Sequence, residues 1–241
     1  MSDRSPPAAL GNWALFLDID GTLVDLAAAP DGVVVPTGLT ALLDRLTGRL
    51  AGALALVSGR SLTGIDRLLP GGRDAAGTHG VEWRRNGRAQ ALAESWPAEL
   101  DAAVAAATER LPFLHVERKA HSVALHYREA PEQGAAVRAL AEALVRAAPR
   151  PFDLLDGKAV VEIVPPGAGK GAAIERFMAS PPYAGRLPVF VGDDVTDEHG
   201  FAAVNRLGGI SVHVGANPAT TAGWRLDSPA AVRAWLAALA R

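Results

Sequence analysis

The fold is decided by residues 14–23, ALFLDIDGTL, where an apolar run meets two carboxylates. The run Ala14–Ile19 predicts a buried strand of a parallel sheet, and Asp20-Gly21 predicts a turn at its end. Residues i and i+2 of a strand point to one side, so Asp18 and Asp20 share a face if the chain stays extended. Two carboxylates about 4 Å apart repel by roughly 4 kcal/mol at an effective dielectric near 20. Such a pair therefore needs a proton, a lysine or a metal ion beside it.

Outside its middle, the chain alternates between apolar runs and helical spacing. Short apolar runs predict three further strands, at Ala53–Val57, Pro188–Gly192 and Gly209–Val214. Spacing and breaker residues predict four helices: Gly38–Leu50, Ser61–Leu69, one from Thr196, and one from about Pro229 to Leu239. This alternation favours parallel strands joined by helical crossovers. We therefore predict an α/β fold with a Rossmann-like parallel sheet and helices on both faces.

The middle of the chain breaks this alternation. Asn86-Gly87 separates two short runs, Val81–Arg85 and Arg88–Leu92, and predicts a β-hairpin with a type I′ turn. A helix followed by two strands then occurs twice: Pro97–Arg110, Phe113–Lys119 and His121–Arg128, then Pro131–Ala148, Phe152–Leu155 and Lys158–Val164. We therefore predict an inserted antiparallel α+β domain over residues 84–166, and a core domain made of residues 1–83 and 167–241.

Composition excludes several classes of protein. The 241 residues (25.0 kDa) are 49% hydrophobic and 21% charged, which permits a sizeable core and excludes global disorder. A formal net charge of −2 and a pI near 6.3 provide no basic field, so we expect no nucleic-acid partner. The lack of cysteine excludes disulfides, thiolate nucleophiles and cysteine-ligated zinc. No apolar stretch predicts a membrane span and no protein partner is indicated, so we expect a soluble cytoplasmic protein.

A second acidic cluster, VGDDVTDE at residues 191–198, ends another apolar run. Thr196 is a candidate helix N-cap, and Asp197 would then lie in the first turn, where helix electrostatics or chemistry explains it equally well. Asp193 and Asp194 precede that turn, so capping explains them less well. Open α/β sheets bind ligands at the carboxyl ends of their strands. With the acidic pair after the first strand, this cluster predicts an all-oxygen site that suits Mg²⁺ better than zinc or copper.

Two further stretches could bind phosphate. Ser58-Gly59-Arg60 ends a predicted strand, and its hydroxyl can hydrogen-bond a phosphate oxygen, although Ser-Gly is also a common turn. Residues 165–171, PPGAGKG, lack the spacing of a P-loop, so we reject that motif and retain Lys170 at a helix start, where N–H groups also favour anions. Lys119, Lys158 and Lys170 are the only lysines among 24 basic residues, which suggests sites that need a compact ammonium.

The order of these motifs resembles the haloacid-dehalogenase-type phosphatases. Asp18-x-Asp20-Gly-Thr, Ser58, Lys170 and Gly192-Asp193-Asp194 follow one another as in that superfamily, over nearly the whole chain. The inserted domain resembles the α+β cap of its sugar-phosphatase branch, in which the cap provides substrate specificity. Within that branch several stretches resemble the trehalose-6-phosphate phosphatase family: GTHGVE at 77–82, ERK at 117–119 with HYR at 126–128, GK at 157–158 with EI at 162–163, and GDDVTDE at 192–198.

This resemblance implies an aspartyl-phosphate mechanism. It assigns Asp18 as the nucleophile and Asp20 as the acid that protonates the departing sugar oxygen and then activates water. Mg²⁺ is expected on Asp18, on the backbone carbonyl of Asp20 and on Asp193, with waters completing an octahedron. Ser58 and Lys170 are expected to hold the phosphoryl oxygens as charge spreads over them.

The resemblance also implies the substrate, trehalose 6-phosphate, which would be hydrolysed to trehalose and phosphate in trehalose biosynthesis. Asp194 is expected to orient either Lys170 or a metal-bound water. Five residues are predicted to bind the substrate: Arg60, His79, Glu117, Lys119 and Glu162. The alternative for Glu117 and Lys119 is an ion pair with each other on the surface of a strand, and the role of Lys158 stays open.

Two alternatives remain. The acidic pair, Lys170 and Asp193 would serve equally well in a phosphatase for sucrose phosphate, mannosyl-phosphoglycerate or a hexose phosphate. An alternative of another class is a phosphosugar-binding module that does no catalysis. The intact Asp18 and Asp20 argue against that module.

Overall fold

A computed structural model describes residues 5–27, 32–92, 96–157, 159–217 and 219–241. The chain forms two compact units: the first contains residues up to Gln90 and from Gly169 onward, and the second, the inserted domain, spans Ala91–Ala168. Lys158 lies outside the described residues. In the part of the chain described, every helix is too short or too polar to cross a lipid bilayer. The cytoplasmic location stays a prediction.

The first unit is built around strand β1, Trp13–Leu17, in which all five residues are buried. Successive side chains of a strand point to opposite faces, so burial of all five means that both faces of the sheet are covered. β1 pairs in parallel with β2, Leu54–Val57, and with β10, Leu187–Gly192. These three buried strands form the centre of the sheet.

Five more strands complete the eight-stranded sheet of this unit: β3 Ala75–Gly77, β4 Glu82–Arg85, β5 Arg88–Ala91, β11 Ile210–Val214 and β12 Trp224–Leu226. The strand order is β12-β11-β10-β1-β2-β3-β4-β5. All pairs from β12 to β3 are parallel, and β4 pairs with β3 antiparallel. The predicted α/β class with a parallel sheet is therefore confirmed.

Five helices flank this sheet: α1 Leu39–Arg49, α2 Leu62–Leu68, α5 Lys170–Met178, α6 Glu198–Arg206 and α7 Pro229–Leu239. α1 packs against α7 and α5 packs against α6. α7 begins where the sequence predicts, because the Ser228 hydroxyl accepts a hydrogen bond from the Ala231 N–H at 3.2 Å and Pro229 occupies the first turn.

The inserted domain has its own sheet and core. Its sheet has the antiparallel order β6-β7-β9-β8, with β6 His115–Arg118, β7 Val123–His126, β8 Asp153–Gly157 and β9 Val160–Val164. Two helices, α3 Asp101–Arg110 and α4 Gly134–Ala147, cover one face. Val123, Leu125, Val161 and Ile163 fill the core on that face. The residues that alternate with them, on the other face, are both polar and apolar: Ala124 and His126 on β7, and Val160, Glu162 and Val164 on β9. The predicted order of helix, strand and strand occurs twice.

Three predictions made from the sequence differ from the structure. The hairpin of β4 and β5 belongs to the large sheet because β4 pairs with β3, so the inserted domain begins at Ala91, and it ends at Ala168. The boundaries 83/84 and 166/167 were placed too early in the chain. Thr196 is not a helix N-cap: it lies inside a short 3-10 turn, Val195–Asp197, which Asp194 caps, and α6 begins only after that turn. β3 and β12 were not predicted, because strands of three residues carry little periodic signal.

Candidate active site

The candidate site lies where three central strands end. The sheet order runs from β1 to β2 on one side and from β1 to β10 on the other, so the crossover direction reverses at β1. Ligands bind at such a reversal, beyond the carboxyl ends of the strands. Asp18 follows β1, Ser58 follows β2 and Asp193 follows β10. Parallel pairing thus gathers residues from distant parts of the sequence at one edge.

Asp18 is held in a tight turn. Its backbone N–H donates to the Val191 carbonyl at 3.0 Å, and the Ile19 carbonyl accepts from Leu23 N–H at 2.8 Å. Gly21 has a φ of 77°, and a Cβ at that position would lie 2.1 Å from Oδ2 of Asp193. A glycine is therefore required for the turn to approach Asp193 so closely. The Asp18 residue is only 4% exposed.

Lys170, the first residue of α5, reaches two carboxylates with its buried ammonium. Nζ lies 2.9 Å from Oδ1 of Asp18 and 2.6 Å from Oδ1 of Asp197. Burial acts to lower the pKa of Lys170, but the charges of Asp18 and Asp197 outweigh it and raise that pKa. Lys170 therefore carries a positive charge over the whole physiological pH range.

Asp197 is the residue that orients Lys170, and the prediction that Asp194 does so is wrong. The Asp197 side chain is fully buried; besides Lys170, its other oxygen, Oδ2, accepts from the N–H groups of Asp193 at 3.0 Å and Asp194 at 2.9 Å. Asp194 instead caps the 3-10 turn by accepting from Val195 N–H. A Cβ on Gly192 would lie 2.4 Å from Cγ of Asp197, so this arrangement also requires a glycine. The alternative role of Asp194, on a metal-bound water, stays a prediction.

Three carboxylates crowd around one ammonium at this site. Oxygens of Asp18, Asp193 and Asp197 lie within 4.8 Å of one another. Burial raises the pKa of Asp18. The ammonium of Lys170 lowers this pKa in part, whereas the charges of Asp197 and Asp193 raise it further. Burial also raises the pKa of Asp193 to about 6, again with a contribution from Asp197. The excess of negative charge is what a divalent cation would neutralise.

This donor set fits a hard cation such as Mg²⁺. Mg²⁺ binds through one or two carboxylates and retains several waters. Both carboxylate oxygens of Asp197 already accept hydrogen bonds from Lys170 and from backbone N–H groups. In Asp193, Oδ1 accepts a hydrogen bond from Thr22 at 3.0 Å, and within the described residues Oδ2 is left to bind a cation. Asp18 and Asp193 therefore offer oxygen atoms for such an ion, and the assignment of Mg²⁺ to them, which the family resemblance implies, stays a prediction.

The Asp20 carboxylate is bound by Arg60. Nε of Arg60 lies 2.6 Å from Oδ2 of Asp20, and Nη2 lies 2.8 Å from Oδ1, which is a bidentate ion pair. The Arg60 N–H also donates to Oγ of the buried Ser58 at 3.1 Å. The two-residue spacing of Asp18 and Asp20 therefore does not place their side chains in one cluster, because the chain leaves the strand at Leu17. Arg60 thus holds Asp20, the acid predicted for catalysis, and its contact with substrate stays a prediction.

His79 lies next to Ser58, in the turn after β3. It adopts a φ of 53°, and its N–H donates to the Ser58 carbonyl at 3.0 Å. A Cβ on Gly59 would lie 2.8 Å from Nε2 of His79, so the imidazole packs on the backbone next to Ser58. The structure thus brings His79 to the loop after β2 that carries Ser58, and its contact with a sugar stays a prediction.

The predicted sugar-binding residues of the inserted domain share one face of its sheet. Glu117 on β6 and Glu162 on β9 both pair with Ala124 on β7, so all three stand in one row across the sheet. Nζ of Lys119 lies 2.7 Å from Oε1 of Glu162, which also accepts from the Ser122 hydroxyl at 3.2 Å. Glu162 is only 4% exposed, so this is not a surface ion pair.

His126 is a residue of this face that the sequence did not single out. Its Nε2 lies 3.1 Å from Oε2 of Glu117, and this hydrogen bond is the main cause of the lowered pKa of Glu117. The signal for it was present in the stretch HYR at 126–128, but a histidine there has no evident partner until strand pairing places it near Glu117.

Comparisons with known proteins agree with this geometry. A family model described as trehalose-phosphatase matches residues 16–230. The chain belongs to the trehalose-phosphatase family. A probable trehalose-phosphate phosphatase of Sinorhizobium fredii is 48% identical over 96% of this chain and 89% of its own length. Trehalose-6-phosphate phosphatase of Escherichia coli is 43% identical over 95% of this chain and 87% of its own.

A solved structure of Aspergillus fumigatus trehalose-6-phosphate phosphatase has the same fold. Its TM-score is 0.69, with 27% identity over 98% of both chains. Like other members of the trehalose-phosphatase family, this protein is a phosphatase. The family match spans both Asp18 and Asp193, and it also includes the inserted domain.

Proposed function

We propose that this protein hydrolyses trehalose 6-phosphate to trehalose and inorganic phosphate through an aspartyl-phosphate on Asp18. The observation that carries the mechanism is the buried Asp18 carboxylate, 2.9 Å from the Lys170 ammonium at the carboxyl end of β1. A carboxylate needs no deprotonation to attack phosphorus, and a fixed ammonium stabilises the charge that spreads over the phosphoryl oxygens.

In the first step an oxygen of Asp18 attacks phosphorus, and the bond from phosphorus to the sugar oxygen breaks. Lys170 and the Ser58 hydroxyl hold phosphoryl oxygens. Asp20 is ion-paired with Arg60 in the structure, so in this proposal it first separates from Arg60 and takes up a proton from solvent, which it then gives to the departing sugar oxygen. A divalent ion, Mg²⁺ in our proposal, held by Asp18, Asp193 and the Asp20 carbonyl would offset charge on the phosphoryl group. In the second step Asp20 takes a proton from water, which attacks the aspartyl-phosphate and restores Asp18.

The inserted domain would supply specificity. Trehalose is neutral and rich in hydroxyl groups, so its recognition requires buried donors and acceptors. Glu117, Lys119 and Glu162 provide acceptors and a donor on one sheet face. An analogue that lacks the second glucose would make none of the hydrogen bonds to these groups, and so it would bind more weakly.

The direct test is phosphate release from a panel of esters, with and without EDTA. We expect trehalose 6-phosphate to be hydrolysed far faster than glucose 6-phosphate, sucrose phosphate or mannosyl-phosphoglycerate, and EDTA to stop the reaction. Comparable rates on glucose 6-phosphate would contradict the substrate assignment. Failure of the wild-type protein to hydrolyse any phosphate ester would instead favour the non-catalytic binding module.

His126→Ala is expected to raise KM for trehalose 6-phosphate by about tenfold with kcat changed less than threefold. The hydrogen bond from His126 holds Glu117 in place, and a charged hydrogen bond contributes roughly 1.5–3 kcal/mol. Steady-state kinetics of His115→Ala provide the matched control, because His115 stands opposite His126 on the same face without that bond. Equal KM values for the two variants would refute this role of His126.

Asp193→Asn is expected to stabilise the metal-free protein above pH 6. A folded-state pKa of about 6 against an ordinary 3.8 means that the fold is favoured while Asp193 is protonated, and that this stability is lost as the pH rises through about 6. The difference reaches up to about 3 kcal/mol at pH 8. Thermal melts in EDTA from pH 4 to 8 measure it, and the two proteins should coincide near pH 4.

Added Mg²⁺ gives the complementary readout. A ligand that binds only the folded state raises Tm by mass action, so Mg²⁺ should stabilise the wild-type protein at pH 8 and leave Asp193→Asn nearly unchanged. An equal rise of Tm in both proteins would show that Asp193 does not hold the ion.

A further inference from the structure

A polar pocket lies on the hairpin at the edge of the large sheet, away from Asp18. It has a volume of about 350 Å³ and is lined by Trp83, Arg85, Asn86, Arg88 and Gln90. All five residues belong to the first unit. β5 is the fourth strand from β1 in the sheet order, which corresponds to roughly 19 Å across the sheet at about 4.8 Å per strand. The reaction proposed above does not use this pocket.

The hairpin places two arginines opposite each other. β4 ends at Arg85 and β5 begins at Arg88, and the two-residue turn Asn86-Gly87 connects them. Residues that flank a two-residue turn are cross-strand partners, and their side chains stand on the same face. Like charges directly opposite each other destabilise a sheet unless something between them compensates.

Arginines on the two faces of the hairpin have different partners. Arg84 points to the opposite face, where its Nη1 and Nη2 each lie 2.7 Å from an oxygen of Asp66. On the pocket face, Arg85 donates to the neutral Ser180 hydroxyl. Arg88 makes no hydrogen bond or ion pair with any residue within the described ranges. The pocket face thus carries two guanidinium charges without a described carboxylate bound to either.

Asp74, the carboxylate near this face, forms no ion pair with Arg85 or Arg88 in the described part of the chain. Asp74 accepts the Asn86 N–H on Oδ1 at 2.8 Å and the Tyr183 hydroxyl on Oδ2 at 2.8 Å. A third guanidinium, that of Arg176, stacks over the Trp83 ring 4.4 Å from its centroid. The indole and the stacked guanidinium form a fixed wall beside the arginine pair.

We propose that this pocket binds the phosphoryl group of a small anion, at a site separate from the catalytic one. Paired guanidinium groups bind phosphate oxygens in a bidentate manner, and a dianion between Arg85 and Arg88 removes the repulsion between them. Inorganic phosphate and a phosphorylated sugar share this chemistry.

The test is calorimetric titration of the full chain with inorganic phosphate. We expect two binding events in the wild-type protein and one in Arg85→Gln/Arg88→Gln, with kcat for trehalose 6-phosphate within twofold of wild type at low phosphate. Arg45→Gln, which removes an exposed arginine from α1, is the matched control and should retain both events. The same stoichiometry in the double variant and the wild type would overturn the proposal, as would a single event in the wild type.

A second arm identifies the source of the phosphoryl group. Trehalose 6-phosphate is titrated into Asp18→Asn, which should not consume it, with and without the two glutamine substitutions. If only trehalose 6-phosphate shows the second binding event, the pocket binds a phosphorylated sugar. If only inorganic phosphate shows it, the pocket binds the free ion. The single variants Arg85→Gln and Arg88→Gln, each expected to weaken this event at least tenfold, keep the test valid if the double variant is unstable.

Discussion

Asp18→Asn is expected to lower kcat for trehalose 6-phosphate by about 10⁴-fold or more. An amide cannot form the acyl-phosphate bond, and loss of a covalent nucleophile costs on that order in other hydrolases. The substitution keeps the size of the side chain in a site that is only 4% exposed. The loss should therefore come from chemistry and not from unfolding. Stopped assays of phosphate release with micromolar enzyme can measure so large a decrease.

Two controls make this result decisive. Circular dichroism and Tm should show a folded protein, and calorimetry should show that trehalose 6-phosphate still binds. Trapping with radiolabelled substrate should label the wild-type protein transiently and the variant not at all. A turnover within tenfold of wild type would exclude Asp18 as the nucleophile.

Asp197→Ala is expected to reduce kcat by about 10²-fold and to destabilise the protein by roughly 3 kcal/mol. The substitution removes a buried partner of Lys170 and leaves the N–H groups of Asp193 and Asp194 without their acceptor. Lys170 would then bond to Asp18 alone, and the loop that carries the proposed metal ligand Asp193 would loosen.

Asp194→Ala is the matched comparison, because it removes a carboxylate of the same loop. The substitution removes the hydrogen bond from Val195 N–H that caps the 3-10 turn. We expect the free energy of unfolding to fall by about 1 kcal/mol and kcat to change less than tenfold. Urea unfolding and steady-state kinetics of both variants measure the contrast. A larger effect on kcat from Asp194→Ala than from Asp197→Ala would reverse the assignment made from the structure.

Most of the first unit could be predicted because its strands are buried on both faces. A strand that is covered on both faces of the sheet appears in the sequence as a short continuous apolar run. Ala53–Val57 is such a run, and β2 lies within it. The hairpin at Asn86-Gly87 was also predicted, but not the sheet to which it belongs. Strand β3, Ala75–Gly77, has only three residues, so its sequence pattern does not predict that it pairs with β4.

The sequence alone determined which residue types meet at the site. Asp18, Ser58 and Asp193 each follow a buried run, and parallel strands necessarily bring their carboxyl ends to one edge. Lys170 was conspicuous because lysine is scarce in this chain.

Only the tertiary structure decided which of these groups touch. Asp194 and Asp197 are equally acidic in the sequence, but the turn after β10 directs Asp194 to its own backbone and Asp197 to Lys170. Arg60 likewise binds Asp20, which lies 40 positions earlier in the chain. Side-chain direction depends on local turn geometry and on partners distant in sequence, and neither is encoded in the spacing of a motif.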